Sequence, residues 1–164
     1  PEVVIGSGVV RGHDGSIVWL GEPGRGIGGQ HRGGISIVAD LDLDGSPEVV
    51  GGRTAYRADG SIYFDLLDPD GYPAVGNFDD DEFPEIVVVG GSEVRLYEHW
   101  GERKWTMPLA PYGGGFGGPP TIADLDGDGV PEIGVAGANA YVTLRADGSV
   151  LWDASTRDRS SSVT

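Results

Sequence analysis

The sequence of 164 residues contains no cysteine, only one lysine (Lys104), and far more acidic than basic residues. The absence of cysteine excludes a disulfide framework and any metal site built on thiolates. With 11 Lys and Arg against 26 Asp and Glu, the formal net charge is −15. Nucleic acids and anionic membrane surfaces attract clustered Lys and Arg, and no apolar run approaches the ~18 residues of a membrane span. We therefore expect no nucleic-acid partner and no direct membrane insertion.

Glycine and proline are abundant, with 30 and 11 residues. They separate short runs rich in Val and Ile, a pattern typical of short strands joined by tight turns rather than of helices. The sequence therefore predicts an all-β fold.

A Pro-Glu pair followed by apolar residues occurs four times, beginning at Pro1, Pro47, Pro84 and Pro131. The steps of 46, 37 and 47 residues lie close to the length of one propeller blade, about 40–50 residues. Each repeat predicts four short strands, with a hairpin signal such as Asp-Gly before the last one. The prediction is a β-propeller of four-stranded antiparallel blades, with roughly four blades in this chain.

The spacing divides the chain into four units. Residues 1–29 are predicted to form a partial blade, and residues 30–72 and 73–118 a complete blade each. Residues 119–164 are predicted to form a blade and the start of the next one. We expect the chain to be a segment of a longer propeller. A four-blade ring closed by both termini and a larger ring assembled from several copies are the alternatives.

Three of the Pro-Glu pairs end an acidic loop, at residues 40–48, 77–85 and 124–132. Side-chain oxygens at positions 1, 3, 5 and 9, with a backbone carbonyl at position 7, could surround one cation. Calcium takes six to eight oxygen ligands, whereas zinc and copper prefer His or Cys. We predict up to three Ca²⁺ ions, one per loop. The predicted ligands are Asp40, Asp42, Asp44, Ser46 and Glu48; Asn77, Asp79, Asp81, Phe83 and Glu85; and Asp124, Asp126, Asp128, Val130 and Glu132.

The alternative to a cation site is a solvated acidic turn. Carboxylates packed this closely repel one another unless a cation neutralises them, and three loops in the same register favour the cation. Gly45 and Gly129, at position 6, permit the positive φ of a sharp turn. The loop at 77–85 has Asn77 at position 1 and Glu82 at position 6, so we expect a lower calcium affinity there.

The stretch from Phe116 to Glu132, which reads FGGPPTIADLDGDGVPE, resembles the FG-GAP or VCBS repeat family, which also forms the propeller of integrin α-subunits. The resemblance covers essentially the whole chain as three loop-bearing repeats and one partial repeat. It implies calcium in each loop, a propeller of about seven blades, and roles in adhesion, ligand binding or cell-surface assembly. Bacterial members of the family are commonly exported. Glu at position 9, in place of Asp, departs from the family pattern.

Three functions are compatible with these features. The first is a non-catalytic calcium-binding module of an exported protein, extracellular or at the cell surface, whose partner is a protein, a carbohydrate, copies of itself or the rest of a larger propeller. The second is the propeller of a calcium-dependent polysaccharide lyase or another secreted enzyme. Such an enzyme needs converging Lys, Arg or His, which this sequence does not favour. The third is an architectural subunit of an extracellular assembly. We predict no catalytic residue.

Overall fold

The computed structural model describes residues 2–5, 9–12, 14–21, 35–115 and 117–156. Within these ranges the chain forms 15 β-strands and one short 3₁₀ helix, without an α-helix. No helix in the described part is long and apolar enough to cross a bilayer. The predicted all-β fold is confirmed.

The strands form four antiparallel sheets, in each of which neighbouring strands follow one another along the chain. Blade 1 has three strands, β1 (Val3–Ile5), β2 (Val9–Arg11) and β3 (Ile17–Trp19). Blade 2 contains β4 (Ile37–Ala39), β5 (Glu48–Val50), β6 (Thr54–Tyr56) and β7 (Ile62–Asp65). Blade 3 contains β8 (Tyr72–Gly76), β9 (Glu85–Gly90), β10 (Glu93–Tyr97) and β11 (Arg103–Pro108). The 3₁₀ helix (Ala110–Tyr112) leads to blade 4, with β12 (Thr121–Ala123), β13 (Glu132–Ala136), β14 (Ala140–Leu144) and β15 (Val150–Ser155).

Each four-stranded sheet is an antiparallel meander, the arrangement of a propeller blade. The four-strand repeat predicted from the Pro-Glu spacing is therefore confirmed in blades 2, 3 and 4. The predicted start of a further blade falls at residues 157–164, which lie outside the described residues. The number of blades in a ring stays a prediction.

The core lies between blades, and β9 contributes to it on both of its faces. Ile86 and Val88 pack in a cluster with residues of blade 2, whereas Val87 and Val89 pack in a cluster with residues of blade 4. Successive side chains of a strand point to opposite faces of the sheet, so a strand covered on both faces is apolar at every position. This is why Ile86 to Val89 is a continuous apolar run in the sequence.

Tryptophans on the last strands of blades 1 and 3, β3 and β11, contact the next blade. The indole Nε1 of Trp19 donates to the carbonyl oxygen of Ala58 at 3.1 Å, and that of Trp105 donates to the carbonyl oxygen of Ala146 at 2.8 Å. Both alanines stand just before an Asp-Gly turn of the next blade. An indole N–H that packs against a neighbouring element usually finds such an acceptor, and the same hydrogen bond joins blade 1 to blade 2 and blade 3 to blade 4.

Candidate metal sites

In each four-stranded meander, two of the three connections between strands lie at the same end of the sheet. The acidic loop joins the first two strands, and a hairpin turn joins the last two. Because neighbouring strands run antiparallel, both connections lie at the same end of the strands. Residues of the hairpin can therefore reach the loop. We refer to residues 40–48, 77–85 and 124–132 as loop 1, loop 2 and loop 3.

Each loop gathers a group of carboxylates. Within a group, one ligand atom from every member lies within 4.8 Å of the ligand atoms of all the others. Two groups draw on their loop alone, while the group at loop 2 includes a residue from the hairpin. The members are Asp40, Asp42 and Glu48 at loop 1; Asp79, Asp81, Glu85 and Glu98 at loop 2; and Asp124, Asp126 and Glu132 at loop 3.

The glutamate at position 9 holds the start of each loop. Its Oε2 accepts a hydrogen bond from the backbone amide of position 2, seven residues earlier. The three bonds join Glu48 to Leu41 at 2.9 Å, Glu85 to Phe78 at 2.6 Å, and Glu132 to Leu125 at 2.7 Å. All three glutamates are buried. The bond engages Oε2 and leaves Oε1 free of this contact.

Burial makes two of these glutamates, Glu48 and Glu85, costly to ionise. It raises the pKa of Glu48 above its ordinary value, and the neighbouring Asp42 adds to the rise while the Leu41 amide opposes it. Burial likewise raises the pKa of Glu85, with the Phe78 amide opposing the rise. A cation within the group would stabilise the ionised form, since an opposite charge favours the charged state of a carboxyl.

Several oxygens of these groups are buried without a hydrogen-bond partner among the described residues. They are Oδ1 of Asp40 and of Asp42 at loop 1, and Oε1 of Glu85 and Oε2 of Glu98 at loop 2. A buried polar atom without a partner costs free energy, which a bound cation would offset. The donors are all hard oxygens, without His or Cys, so the set fits calcium better than zinc or copper.

The carboxylates at position 5 have a second role, which is to shape the loop. In each loop, Oδ1 of this residue accepts a hydrogen bond from the backbone amide of position 7. The bonds join Asp44 to Ser46 at 2.7 Å, Asp81 to Phe83 at 2.8 Å, and Asp128 to Val130 at 2.8 Å. Asp81 also belongs to its carboxylate group, whereas Asp44 and Asp128 do not. The ligand roles of Asp44 and Asp128 stay predictions, as do those of the carbonyls at position 7.

Loops 1 and 3 share one turn geometry. The glycine at position 6 is left-handed in both, with φ of 89° at Gly45 and 95° at Gly129, as predicted. Its amide donates to the aspartate at position 1, to Asp40 Oδ2 at 2.9 Å and to Asp124 Oδ2 at 3.1 Å. The turn therefore orients the first carboxylate of each loop.

Loop 2 follows a different path. Neither Asp80 at position 4 nor Glu82 at position 6 has a positive φ. The amide side chain of Asn77 donates from Nδ2 to the carbonyl oxygen of Asp81 at 2.7 Å and accepts at Oδ1 from the amide of Asp79 at 3.3 Å. Loop 2 thus lacks both the left-handed turn and the first carboxylate.

Glu98 and Lys104, from the hairpin of blade 3, complete the group at loop 2. Lys104 Nζ donates to Asp79 Oδ2 at 2.6 Å and to Glu98 Oε1 at 2.8 Å. Partial burial alone would lower the pKa of Lys104, but these two hydrogen bonds raise it above its ordinary value. The hydrogen bond from Lys104 also lowers the pKa of Asp79. Sequence reasoning assigned neither Glu98 nor Lys104 to the site.

A signal for Glu98 exists in the repeat. Its carbonyl accepts the turn hydrogen bond from Gly101, as the carbonyls of Arg57 and Arg145 do from the glycines of their own hairpins. The three positions are therefore equivalent, and the charge is reversed in blade 3 alone. Aligning the hairpins along with the loops would have drawn attention to this reversal.

Residues 77–135, from loop 2 to the strand after loop 3, match the family of FG-GAP-like repeats. The match agrees with the resemblance drawn from the sequence over this part of the chain, which contains two of the three loops. Phe116, at the start of the quoted motif, lies outside the described residues. No curated protein matches the chain.

Two solved structures are similar to the chain. One is the biofilm matrix protein Bap1 of V. cholerae, with 22% identity and a TM-score of 0.41 over 93% of this chain and 33% of that one. The other is a protein of unknown function from Bacteroides caccae, with 14% identity and a TM-score of 0.49 over 92% of this chain and 54% of that one. The chain spans one third and about half of these two proteins.

Proposed function

We propose that this chain is a calcium-stabilised, non-catalytic repeat module of an extracellular or cell-surface protein. One observation supports the proposal above the others: carboxylates converge at three loops, and at loops 1 and 2 four of their buried oxygens have no hydrogen-bond partner among the described residues. Oxygen ligands at this density are what calcium requires.

The ion has a structural role in this proposal. Each loop connects the first two strands of a blade, and the group joins the end of the first strand to the glutamate that begins the second. An ion that binds only the folded state stabilises it by mass action. Three Ca²⁺ ions would also add six positive charges to a chain of net charge −15, which reduces its self-repulsion.

The proposed extracellular location follows from the exposure of the sites. Asp81 at loop 2 and Asp124 and Asp126 at loop 3 are exposed members of their groups, and calcium sites of extracellular modules bind with dissociation constants of about 10⁻⁴–10⁻³ M. Such sites fill at the calcium concentrations found outside cells. The export of bacterial relatives, implied by the family resemblance, agrees with this location.

We propose an extracellular protein or carbohydrate, or copies of the chain itself, as the partner. Phe83 of loop 2 stacks on His99 with ring centroids 4.3 Å apart, and His99 contacts the edge of Trp100. Trp100 is 50% exposed, and exposed aromatic rings are frequent anchors in recognition surfaces. A Trp100→Ala variant should lose binding to a partner captured by the wild type, with its melting temperature unchanged.

The test of calcium binding is a melting experiment. The protein is unfolded by heat in EDTA, in millimolar CaCl₂ and in millimolar MgCl₂, and followed by circular dichroism. We expect calcium to raise the melting temperature by about 10 °C or more over EDTA, from the mass-action gain of several filled sites, and magnesium to raise it much less. An equal melting temperature in EDTA and in calcium would contradict the proposal.

A further inference from the structure

Loop 2 differs from the other two loops in having both a fourth carboxylate and an internal ammonium group. Glu98 brings the carboxylate and Lys104, the single lysine of the chain, brings the ammonium. The two residues lie on the hairpin that closes the same edge of blade 3. Neither kind of group is found at the equivalent hairpin positions of blades 2 and 4, which carry Arg57 and Arg145 in place of Glu98.

We propose that Glu98 is a cation ligand of loop 2 and that Lys104 occupies part of this site until a divalent cation displaces it. The inference rests on the proposed function, since it assumes that the loops bind calcium. It adds a ligand from outside the loop and a competing group that loops 1 and 3 do not have.

Within the described part of the chain, two buried oxygens at loop 2 are left without a partner by Lys104. Lys104 satisfies Asp79 Oδ2 and Glu98 Oε1, but Glu85 Oε1 and Glu98 Oε2 are buried and have no partner among the described residues. Glu85 is fully buried. The ammonium therefore leaves two oxygens of the group unsatisfied, and both belong to residues whose ligand atoms converge with those of Asp79 and Asp81.

Loop 2 also has more carboxylates in its group than the other two loops. Asn77 does not supply a carboxylate at position 1, and its side chain is engaged within the loop. Asp81 keeps the contribution of the loop itself at three carboxylates, and Glu98 raises the group to four, against three in each of the other groups. One ammonium leaves a formal charge of −3 on these four carboxylates, so the site still attracts a divalent cation.

Lys104 is placed so that a cation can displace it. Its side chain is 26% exposed, and lysine is a flexible point charge whose ammonium is readily hydrated. An ammonium and a Ca²⁺ ion on the same oxygens would repel each other strongly at a separation of a few ångströms. The lysine can leave toward solvent without a change in the strands, so cation entry and lysine departure are coupled.

The experiment uses the single lysine as its reporter. A sample labelled with ¹³C and ¹⁵N in lysine gives one side-chain signal, that of Lys104, and a uniformly ¹⁵N-labelled sample reports on the amides of each loop. Both are titrated with CaCl₂. We expect the Lys104 signal to move to the position of a solvent-exposed lysine, with the same midpoint as the loop 2 amides and at higher calcium than the amides of loops 1 and 3.

Variants separate the two residues. Lys104→Met should lower the calcium midpoint of the loop 2 amides by about tenfold or more, because a competing charge is removed, and Lys104→Arg should leave the midpoint close to wild type. Glu98→Gln should raise the midpoint by about tenfold or more. Arg145→Gln, at the equivalent position of blade 4, serves as the matched control and should leave loop 2 unchanged.

Three results would overturn the inference while leaving the proposed function in place. In the first, the loop 2 amides fail to respond to calcium while those of loops 1 and 3 do. In the second, the Lys104 signal does not move while the loop 2 amides do. In the third, Lys104→Met and Glu98→Gln leave the calcium midpoint of the loop 2 amides within twofold of wild type. If calcium moves no amide in any loop, the proposed function itself fails.

Discussion

Loop 3 and loop 2 gather carboxylates at the same edge of neighbouring blades, but they obtain them in different ways. Loop 3 takes its whole group from nine consecutive residues, with left-handed glycines at Gly127 (φ 82°) and Gly129 (φ 95°) shaping the turn. Loop 2 has no left-handed residue and takes Glu98 from the hairpin. One group is thus encoded within a single loop, and the other also depends on the strand pairing that brings the hairpin of blade 3 beside loop 2.

The feature common to both loops is the glutamate at position 9. Its hydrogen bond to the amide of position 2 has nearly the same length in loop 2 and loop 3, 2.6 Å and 2.7 Å. This bond defines the repeat, while the remaining carboxylates can be supplied by the turn or by a neighbouring strand connection.

The largest effect is expected at position 9. Glu132→Ala and Glu85→Ala each leave the amide of position 2 without its acceptor, so each should lower the free energy of unfolding by at least about 1–3 kcal/mol even in EDTA. The losses should be similar in the two loops, because the bond is the same. Urea denaturation in EDTA measures them, with Glu82→Ala, an exposed glutamate of loop 2, as the control. A loss that appears only in the presence of calcium would show that the bond does not hold the loop.

An intermediate effect is expected from the carboxylates of the groups. Asp126→Ala removes a member of the group at loop 3 and should abolish the share of calcium stabilisation that comes from this loop. Asp80→Ala removes an exposed carboxylate that belongs to no group and should change the free energy of unfolding by no more than about 0.5 kcal/mol. Melting temperatures in calcium and in EDTA distinguish the two variants, and equal behaviour would contradict the assignment of the group.

The smallest effect concerns the backbone at position 6. Gly129→Ala places a Cβ at φ 95° with nothing within 4 Å of it, so the cost is conformational only, about 1–2 kcal/mol. Glu82→Ala, at the same position of loop 2, should change stability by less than about 0.5 kcal/mol, since that residue is not left-handed. Equal losses at Gly129 and Glu82, measured by urea denaturation, would mean that the two loops share one path after all.

Much of the local structure could be predicted from the sequence. The strand–loop–strand order, the left-handed glycines Gly45 and Gly129, and the convergence of positions 1, 3 and 9 all depend on spacing within a few residues. Leu43, in contrast, has φ of 57°, a conformation that a bulky side chain disfavours. Its position follows from the closure of the loop rather than from the residue type.

Glu98 and Lys104 could not be placed from spacing alone. They approach loop 2 because β10 pairs with both β9 and β11, with a shift in register between Leu96 and Tyr97 that recurs before the last hairpin of the other blades. Such a shift changes which side chains face the loop. The charge reversal at the equivalent positions Arg57, Glu98 and Arg145 was the available signal.

The most direct test of the central claim is a crystal structure determined in millimolar calcium with anomalous diffraction data. We predict one ion at loop 1, contacted by Asp42 and Glu48, and one at loop 3, contacted by Asp126 and Glu132, each with six to eight oxygen ligands at about 2.3–2.6 Å. Loops that hold no ion under these conditions, with their aspartates turned toward solvent, would contradict the account.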